Sequence, residues 1–344
     1  MRIGISCYPT FGGSGVVATE LAMALAAGGD SVHIISYGLP SRLSSLCGAL
    51  QASDAEVPLA LYDNLQYHEV VVPHYPLFEY PPYSLALATK MVEVARHENL
   101  DVLHAHYALP NAVSAVLARQ IVSPQPLPVV TTLHGTDITL VGNDPNYLET
   151  TRYGIRESDA VTAVSEWLRQ KTCEAFGLGA GIEVIPNFVD PGRFERALQH
   201  ARTARRWAKP DEKVLVHISN FRPVKRVDDV IETFARVLAQ RPARLLLVGD
   251  GPDRGRIERR CRELGICDSI NFLGNLPLVE EVLIGADLFL LTSDAESFGL
   301  SALEALACRV PVVGARAGGL PEVVEEGVTG HLCAVGDVDA MAAA

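Results

Sequence analysis

Residues 286–304 read A-D-L-F-L-L-T-S-D-A-E-S-F-G-L-S-A-L-E, and this stretch decides the fold. The apolar run Ala286–Thr292 predicts a buried strand, and the small polar residues after it predict a turn that opens a helix near Gly299. A helix that begins at a strand's end points free backbone N–H groups at an anion, phosphate above all. Glu296 lies at the mouth of this turn, and Glu304 lies about two helical turns further on. The stretch predicts a site for a phosphate-linked sugar, although a helix with a solvated glutamate at each end fits the spacing equally well.

Strand and helix patterns alternate along the whole chain, which predicts an α/β protein. The predicted strands are Ile3–Ser6, Ser31–Ser36, Tyr67–Val72, Val102–Ala105, Val129–Leu133, Ala160–Val164, Glu183–Ile185, Val214–Ser219, Arg244–Val248, Ile270–Leu273, Leu288–Leu291 and Val310–Val313. The predicted helices are Val16–Ala27, Ser84–Glu98, Ser165–Phe176, Val227–Gln240, Arg254–Leu264, Leu278–Ile284 and Gly299–Ala307. Pro186–Pro191 interrupts the pattern like a hinge, so we predict two Rossmann-like domains, residues 1–187 and 188–344, facing across a cleft. Ligands of such sheets bind at the carboxyl ends of the strands.

Composition and charge narrow the class of protein. The chain has 344 residues, 48% of them hydrophobic, and 28 glycines, which suits two domains with buried parallel strands. Its net charge of −12 argues against a nucleic-acid partner. Residues 1–190 carry a net charge of −10 (9 Lys+Arg, 19 Asp+Glu), whereas residues 191–344 carry −2 (20 and 22). The cations therefore concentrate in the second half, where an anionic ligand could be held.

The sequence also indicates where the protein works. Met1 leads directly into the first strand, so we expect no signal peptide, and no apolar run approaches the roughly 20 residues of a membrane span. The seven cysteines form no C-x-x-C pair and are typical of reduced thiols. We therefore expect a cytoplasmic protein with no membrane partner, and the oligomeric state stays open, a homo-oligomer included. The chain stops at Asp339–Ala344 within a predicted helix, which indicates an incomplete sequence.

A basic loop follows the first predicted strand of the second half. Residues 220–226 read N-F-R-P-V-K-R, with three cations in five residues. Arg222 through its planar fork and Lys225 as a point charge are suited to a diphosphate, and a solvated basic turn is the alternative. Near the start of the chain, G-G-S-G at residues 12–15 opens the first helix without the dinucleotide pattern G-x-G-x-x-G. These glycines therefore predict only a close backbone approach to an anion.

Polar residues also gather at strand ends of the first half. His134, which begins H-G-T-D at residues 134–137, could hydrogen-bond a substrate or take a proton, and a structural histidine is the alternative. His104 and His106 share one strand face, but no third ligand is evident and we predict no metal site. The remaining candidates are Tyr107, Asn111, Thr132 and Arg152. The last of these is suited to clamping a carboxylate, and a surface ion pair explains it equally well.

These motifs occur in the order found in a known family. G-G-S-G at 12–15, H-G-T-D at 134–137, R-P-V-K-R at 222–226 and E-S-F-G-L-S-A-L-E at 296–304 resemble the retaining glycosyltransferases of family 4, which have the GT-B fold. The resemblance covers essentially the whole chain. Four longer stretches are most similar to the members that act in bacillithiol synthesis: C-Y-P-T-F-G-G-S-G at 7–15, H-A-H-Y-A-L-P at 104–110, T-T-L-H-G-T-D at 131–137 and S-N-F-R-P-V-K-R at 219–226.

The resemblance implies an activity and a role for each candidate residue. The implied reaction moves N-acetylglucosamine, with retention, from UDP-GlcNAc on the second domain to the hydroxyl of L-malate on the first, as the first step of bacillithiol biosynthesis. The implied catalytic residues are His134, Arg222, Lys225 and Glu296. The implied donor-binding residues are Gly13, Asn220, Phe298, Gly299, Leu300 and Glu304, and the implied acceptor-binding residues are Ser14, Tyr107, Thr132 and Arg152.

The resemblance implies no metal and no other cofactor, because the cations of the basic loop replace an ion at the leaving diphosphate. In this fold the chain usually ends with a helix that crosses back onto the first domain, and we expect this sequence to lack that helix. Other activities stay open. A family 4 enzyme with an inositol phosphate or polysaccharide acceptor is one, and an epimerase that releases UDP without an acceptor is another. A non-catalytic nucleotide-sugar-binding protein is the third, and the complete set of catalytic candidates argues against it.

Overall fold

The chain divides into two compact units, Met1–Pro186 and Asn187–Ala344. The computed structural model describes residues 1–9, 13–40, 43, 63–179, 181–198 and 205–344. Thr10, Phe11 and Gly12 of the first glycine-rich motif, and Cys47, lie outside the described residues. Each unit alternates strands and helices around a parallel sheet, which confirms the predicted α/β fold of two Rossmann-like units.

The first unit has seven strands in its described residues, arranged in the order β3-β2-β1-β4-β5-β6-β7 and all parallel. The strands are β1 (Arg2–Ser6), β2 (Ser31–Ser36), β3 (Leu65–Glu69), β4 (Val102–His106), β5 (Val129–Leu133), β6 (Ala160–Ala163) and β7 (Ile182–Val184). The described helices of this unit are α1 (Gly13–Ala27), α2 (Tyr83–Glu98), α3 (Val113–Val122), α4 (Thr136–Thr139), α5 (Leu148–Glu157) and α6 (Glu166–Phe176). Residues Ala108–Ala112 form an irregular turn after β4.

Both faces of the first sheet are covered. Ile5 and Ile34 pack with Ala22 of α1 on one face. On the other face, Leu103 packs with Met91 of α2 and with residues of α3. Because helices cover both faces, these strands are nearly continuous apolar runs, and that is what made them visible in the sequence.

The second unit repeats this plan with six strands in its described residues, in the parallel order β10-β9-β8-β11-β12-β13. The strands are β8 (Lys213–Ile218), β9 (Ala243–Val248), β10 (Ile270–Gly274), β11 (Leu288–Leu291), β12 (Val312–Ala315) and β13 (Gly330–Cys333). The described helices are α7 (Pro191–Leu198), α8 (Val227–Leu238), α9 (Arg254–Glu263), α10 (Glu280–Leu283), α11 (Leu300–Ala307) and α12 (Val338–Ala343).

The second sheet is also covered on both faces. Val216 and Phe289 pack with Ala305 of α11 on one face. Leu247 packs with Phe234 of α8 and other helix residues on the opposite face. In this sheet β8 pairs directly with β11, so the loops that follow these two strands leave the sheet side by side.

Several predicted boundaries differ from the structure. The strand predicted at Val310–Val313 begins two residues later, because Pro311 has no N–H to donate to a sheet. The strand predicted at Tyr67–Val72 runs instead from Leu65 to Glu69. Helices α3, α4, α5 and α7 and strand β13 were not predicted at all. In α5 the run T-T-R-Y-G-I is poor in strong helix formers. Its Gly154 lies so close to Val113 that a Cβ built on this glycine would be 2.9 Å from the valine side chain.

Candidate active site

The centre of the candidate site in the second unit is an ion pair between Lys225 and Glu296. Lys225 Nζ donates to Glu296 Oε2 over 2.7 Å, and both side chains are more than four-fifths buried. Lys225 ends a single 3-10 turn after β8, and Glu296 lies in the loop between β11 and α11. The pairing of β8 with β11 therefore brings together two residues 71 positions apart in the sequence.

The backbone around this pair is tied down on both sides. The buried hydroxyl of Thr292 donates to the carbonyls of Lys225 and Arg226, at 3.0 Å each. The N–H of Asp294 donates to the carbonyl of Val224, also at 3.0 Å. The two loops therefore form one rigid unit, and this favours a preorganised site.

Two glycines missed in the sequence hold the other side of the Glu296 loop. The N–H of Gly319 donates to the carbonyl of Glu296 over 2.7 Å. Gly318 has φ +61°, and a Cβ built there would lie 1.9 Å from the same carbonyl oxygen. Only glycine accommodates both the backbone angle and this close approach. The sequence signal for this contact was the pair Gly318-Gly319 after a strand, but Glu296, which the pair contacts, is distant in sequence.

The three cations of the basic loop differ in whether a carboxylate of the protein already binds them. Arg222 is exposed and makes no ion pair with any described residue, so its guanidinium is available to a ligand. Arg226 instead donates from Nε to Asp229 Oδ2 over 2.6 Å. Asn220 is exposed at the end of β8. Arg226 and Lys225 are therefore each held by a carboxylate, and Arg222 is the cation of the loop without an ion pair among the described residues.

The helix start predicted after β11 is present. Gly299 has φ +97° and caps α11, with Phe298 buried before it and Leu300 half-buried at the first helical position. Glu304 lies one turn into α11 and is mostly buried. Its Oε1 lies 3.8 Å from Nη2 of Arg193, whose Nε lies 3.3 Å from Glu280. Glu304 is thus a buried acceptor within a charged cluster.

His134 is the centre of the candidate site in the first unit. Its Nε2 shares a 2.9 Å hydrogen bond with Nδ1 of His106. Its ring stacks with those of His106 and Tyr107, with centroids 5.1 and 5.5 Å away. Since Nε2 is occupied, Nδ1 is the ring atom left for a substrate.

A buried carboxylate shapes the loop that carries His134. Asp137 accepts the N–H groups of His134 and Gly135 on Oδ1 and that of Ala108 on Oδ2, at 3.1, 2.8 and 3.0 Å. Burial raises the pKa of Asp137 to about 6, although these N–H groups act in the opposite direction. Asp137, the last residue of H-G-T-D, therefore has a structural role: its carboxylate joins the loops that follow β4 and β5.

Burial keeps this histidine cluster neutral. Burial lowers the pKa of His134 to about 3 and that of His104 to about 4, and it lowers the pKa of His106 well below its ordinary value. At neutral pH His134 is thus a neutral hydrogen-bonding group and a weak base. This geometry favours the hydrogen-bonding role expected for His134 over the proton-accepting one.

The other candidates in the first unit have diverse surroundings. Thr132 is buried, and its Oγ1 lies 2.7 Å from His104 Nε2 and 2.8 Å from Thr162 Oγ1, so its hydroxyl is occupied within the protein. Arg152 on α5 donates to Glu149 Oε1 at 2.5 Å and to the carbonyl of Phe176 at 3.2 Å.

The remaining first-unit candidates lie at the start of α1 and after β4. Ser14 is mostly buried and Gly13 exposed in the first turn of α1. Asn111 is fully buried, and its Nδ2 donates to the carbonyl of His106. Gly13 and Ser14 thus lie where the start of α1 presents backbone N–H donors, whereas Asn111 supports the turn that follows β4.

Two family models match this chain. A model described as Glycosyltransferase Family 4 matches residues 11–193, more than half of the chain, and one described as Glycosyl transferases group 1 matches residues 201–344. The chain belongs to glycosyltransferase family 4. The predicted family and enzyme class are therefore confirmed.

Curated relatives of this family 4 glycosyltransferase include enzymes with different acceptors in their names. The N-acetyl-alpha-D-glucosaminyl L-malate synthase of Bacillus anthracis is 47% identical over 342 residues, covering 99% of this chain and 86% of that protein. The D-inositol 3-phosphate glycosyltransferase of Actinosynnema mirum is 31% identical over 353 residues, covering 94% and 80%.

Solved structures of similar proteins support the fold. Anabaena Alr3699/HepE, in complex with UDP and glucose, has a TM-score of 0.78 at 21% identity, covering 100% of this chain and 88% of that one. Sucrose-phosphate synthase from Thermosynechococcus elongatus has a TM-score of 0.73 at 22% identity, with the same coverage. At these identities the likeness concerns the fold alone, and it confirms the predicted GT-B class.

Tyr107, a candidate from the sequence, belongs in this family 4 glycosyltransferase to a row of four tyrosines, and the other three were missed in the sequence. Tyr8, Tyr37 and Tyr107 come just after β1, β2 and β4, and Tyr83 begins α2. The ring of Tyr8 lies edge-on to those of Tyr107 and Tyr37, at 5.4 and 6.3 Å. Tyr37 contacts Tyr83 at 5.4 Å. The position of Tyr8 and Tyr37 just after strands was the available signal, and the row runs from Tyr107 along the sheet edge, away from His134.

Among the described residues, no helix has both the length and the apolar character that crossing a membrane requires.

Proposed function

We propose that this glycosyltransferase moves N-acetylglucosamine from UDP-GlcNAc to the hydroxyl of L-malate, with retention at the anomeric carbon, as the first step of bacillithiol biosynthesis. One observation carries the proposal: 47% identity over 99% of the chain with the Bacillus anthracis relative named as an L-malate synthase of this kind. The relative named for D-inositol 3-phosphate shares only 31% over 94%. The malate acceptor is therefore favoured over an inositol phosphate.

The second unit supplies the donor site in this proposal. Lys225 and the exposed Arg222 bind the diphosphate, and the N–H groups at Phe298, Gly299 and Leu300 lie against phosphate or sugar. Glu304 accepts the ribose hydroxyls, and Asn220 completes the donor contacts of this unit. Gly13, at the start of α1, is the donor contact that the proposal assigns to the first unit. Glu296 binds sugar hydroxyls, and its bond to Lys225 fixes the direction of that side chain before the donor arrives.

The first unit supplies the acceptor site. L-malate is a small dianion, and Ser14 at the start of α1 offers it helix N–H donors and a hydroxyl. Arg152 pairs with a malate carboxylate by exchanging it for Glu149, whose side chain is 76% exposed and therefore easily displaced. Tyr107 borders this site beside His134. Thr132 acts through His104, because its hydroxyl is already occupied.

The proposed chemistry is a front-face substitution. The malate hydroxyl attacks the anomeric carbon on the side from which UDP leaves, and a phosphate oxygen of the leaving group accepts the hydroxyl proton. Lys225 and Arg222 stabilise the charge that develops on the diphosphate, so no metal ion is required. His134 contacts the transferred sugar as a neutral hydrogen-bonding group. The six described cysteines are free thiols, consistent with the cytoplasm as the place of reaction.

The test measures UDP release from UDP-GlcNAc with and without L-malate, in the presence of EDTA. We expect release that depends on malate and persists in EDTA. Lys225→Met should lower kcat/KM about 100-fold, because one charged donor to the leaving group is lost. Lys209→Met, which removes an exposed lysine of the same unit, is the matched control and should change little.

The opposite results are equally informative. Loss of activity in EDTA with recovery in Mg²⁺ would refute the metal-free mechanism. Release that ignores malate would indicate hydrolysis or epimerisation. Release that depends on inositol phosphate instead would reassign the acceptor, and binding of UDP-GlcNAc without turnover under every acceptor would favour a non-catalytic protein.

A further inference from the structure

Three potential metal ligands that the proposed reaction does not use meet in the first unit. His33 on β2, His68 on β3 and Glu98 at the end of α2 each offer one ligand atom, and these atoms all lie within 4.8 Å of one another. The parallel register places His33 opposite Gln66, two residues before His68, so the two histidines share one face of the sheet. That face carries α2, whose last residue is Glu98.

The two imidazoles are already close to a ligating arrangement. His33 Nδ1 and His68 Nε2 lie 3.0 Å apart and share a hydrogen bond. Two nitrogens bound to one tetrahedral Zn²⁺ at the usual bond lengths lie about 3.3 Å apart. An ion can therefore replace the shared proton if the two rings separate by a few tenths of an ångström.

A hydroxyl beyond these ligands favours the required tautomer of His33. Ser31 Oγ lies 3.1 Å from His33 Nε2, on the far side of the ring from His68. A metal-binding histidine usually donates its second ring N–H to such an acceptor, and this fixes the ring and leaves the other nitrogen to bind the ion. A proton on Nε2 leaves the Nδ1 lone pair directed at His68.

Burial and charge also suit a cation. His33 is 1% exposed, whereas His68 and Glu98 are half-buried, so an ion can enter from solvent and keep a water as its fourth ligand. The charge of Lys90 on α2 acts on His68, but Lys90 is bound to Glu93 at 2.7 Å, which offsets that charge. The side chain of Glu98 supplies the anionic ligand.

The position within the fold separates this cluster from the reaction. A helix that crosses back over parallel strands ends at their amino side, and Glu98 is followed almost directly by the start of β4. His134 and the tyrosine row lie instead at the carboxyl ends. An ion bound by the three residues would fasten the edge strand β3 and the end of α2 to β2.

We propose that His33 Nδ1, His68 Nε2 and the Glu98 carboxylate form a structural site for one divalent transition-metal ion, with Zn²⁺ as the best match. Two imidazoles and a carboxylate suit Zn²⁺, whereas Mg²⁺ prefers oxygen ligands alone. His104 and His106 take no part in it. The site is independent of the transfer reaction, so it tightens the first unit without changing the metal-free chemistry.

The test titrates the full chain, stripped with EDTA and dialysed, with ZnSO₄ in a calorimeter, and counts bound zinc by mass spectrometry. We expect one Zn²⁺ per chain and a higher Tm, and no binding of MgCl₂. Glu98→Gln and His68→Gln, both half-buried and close in shape to the parent residues, should each weaken Zn²⁺ binding at least about tenfold. His97→Gln removes an exposed imidazole from the same helical turn and should bind like the parent.

The site would be refuted by a chain that is folded by circular dichroism yet binds no Zn²⁺. It would be refuted equally by Zn²⁺ binding that survives both Glu98→Gln and His68→Gln. Because the readouts are ion binding and Tm, either failure leaves the proposed transfer reaction untouched.

Discussion

His217 is a fully buried residue near the end of β8, shortly before the basic loop, and its pKa makes the stability of the protein depend on pH. Its Nδ1 lies 2.9 Å from the carbonyl of Leu290 on β11, and its Nε2 lies 2.8 Å from Ser219 Oγ. Burial lowers the pKa of His217 to about 4, with Lys225 contributing in the same direction. The folded protein therefore keeps this ring neutral where the unfolded chain would protonate it.

The pKa of His217 predicts a loss of stability in acid. Between the ordinary pKa of about 6.5 and the folded value, the unfolded chain binds more protons, so the free energy of unfolding falls as pH drops through this window. From pH 7 to pH 5 the contribution of His217 amounts to about 2 kcal/mol. Urea unfolding of the parent and of His217→Gln at both pH values measures it.

Comparing the parent with His217→Gln cancels the pH dependence contributed by the other buried groups. Asp137 is one of these, and its raised pKa makes the free energy of unfolding rise as pH falls. We expect the stability difference between parent and His217→Gln to shrink by about 2 kcal/mol at the lower pH. His97→Gln, at an exposed site, should follow the parent at both pH values. Parallel curves for parent and His217→Gln would show that His217 does not titrate as inferred.

At the level of single residues, the sequence identified charges better than it identified their partners. Lys225 and Glu296 were recognisable because each follows an apolar strand, and sheet order then brought them into contact. Thr132 and Arg226 were plausible ligand-binding residues by the same rule. Their hydroxyl and guanidinium are instead occupied by His104 and Asp229, and nothing in a local pattern reveals such partners.

At the level of elements, the loop between β11 and α11 depends on the turn that begins at Gly318. Gly318→Ala would place a methyl group against the carbonyl of Glu296 and push that residue away from Lys225. We expect a loss of about 2 to 4 kcal/mol in the free energy of unfolding and weaker UDP binding. Chemical unfolding and titration with UDP measure the two effects.

Gly327→Ala is the matched control for this element. Gly327 also has a positive φ, +74°, but a Cβ there meets no heavy atom within 4 Å. It should cost only the backbone strain, about 1 to 2 kcal/mol, and leave UDP binding unchanged. Equal effects of the two substitutions on UDP binding would show that the contact with Glu296 is unimportant.

Helices and strands could be predicted where burial requires a continuous apolar run in the sequence. They could not be predicted where tertiary packing outweighs the local conformational preference of the residues. Strands β2, β5 and β11 have the predicted bounds. Helix α3, V-S-A-V-L-A-R-Q-I-V, mixes β-branched residues with alanine, and its pattern alone does not separate a helix from a strand. The helix is selected by its packing against the sheet, in which Ala115 and Ala118 are buried.

At the scale of the whole molecule, the two compact units predict two unfolding transitions in scanning calorimetry. UDP should raise only the transition of the second unit, by about 2.7 kcal/mol of stability at a hundredfold excess over its Kd. Malate should raise only the transition of the first unit, which carries the proposed acceptor site. The second-unit transition is the one that Gly318→Ala lowers, and a UDP effect confined to the other transition would move the donor site to the first unit.

The order of strands in the first sheet has a consequence for biosynthesis. β1 lies inside that sheet, between β2 and β4, although β4 begins only at Val102. On the ribosome, a nascent chain that has released β1 and β2 therefore exposes an unpaired apolar edge until β4 emerges, and this is the interval in which a chaperone protects it best. The last strand of the first sheet, β7, leaves the ribosome before any strand of the second. Translation thus delivers the two sheets one after the other, and the first can close without competition from the second.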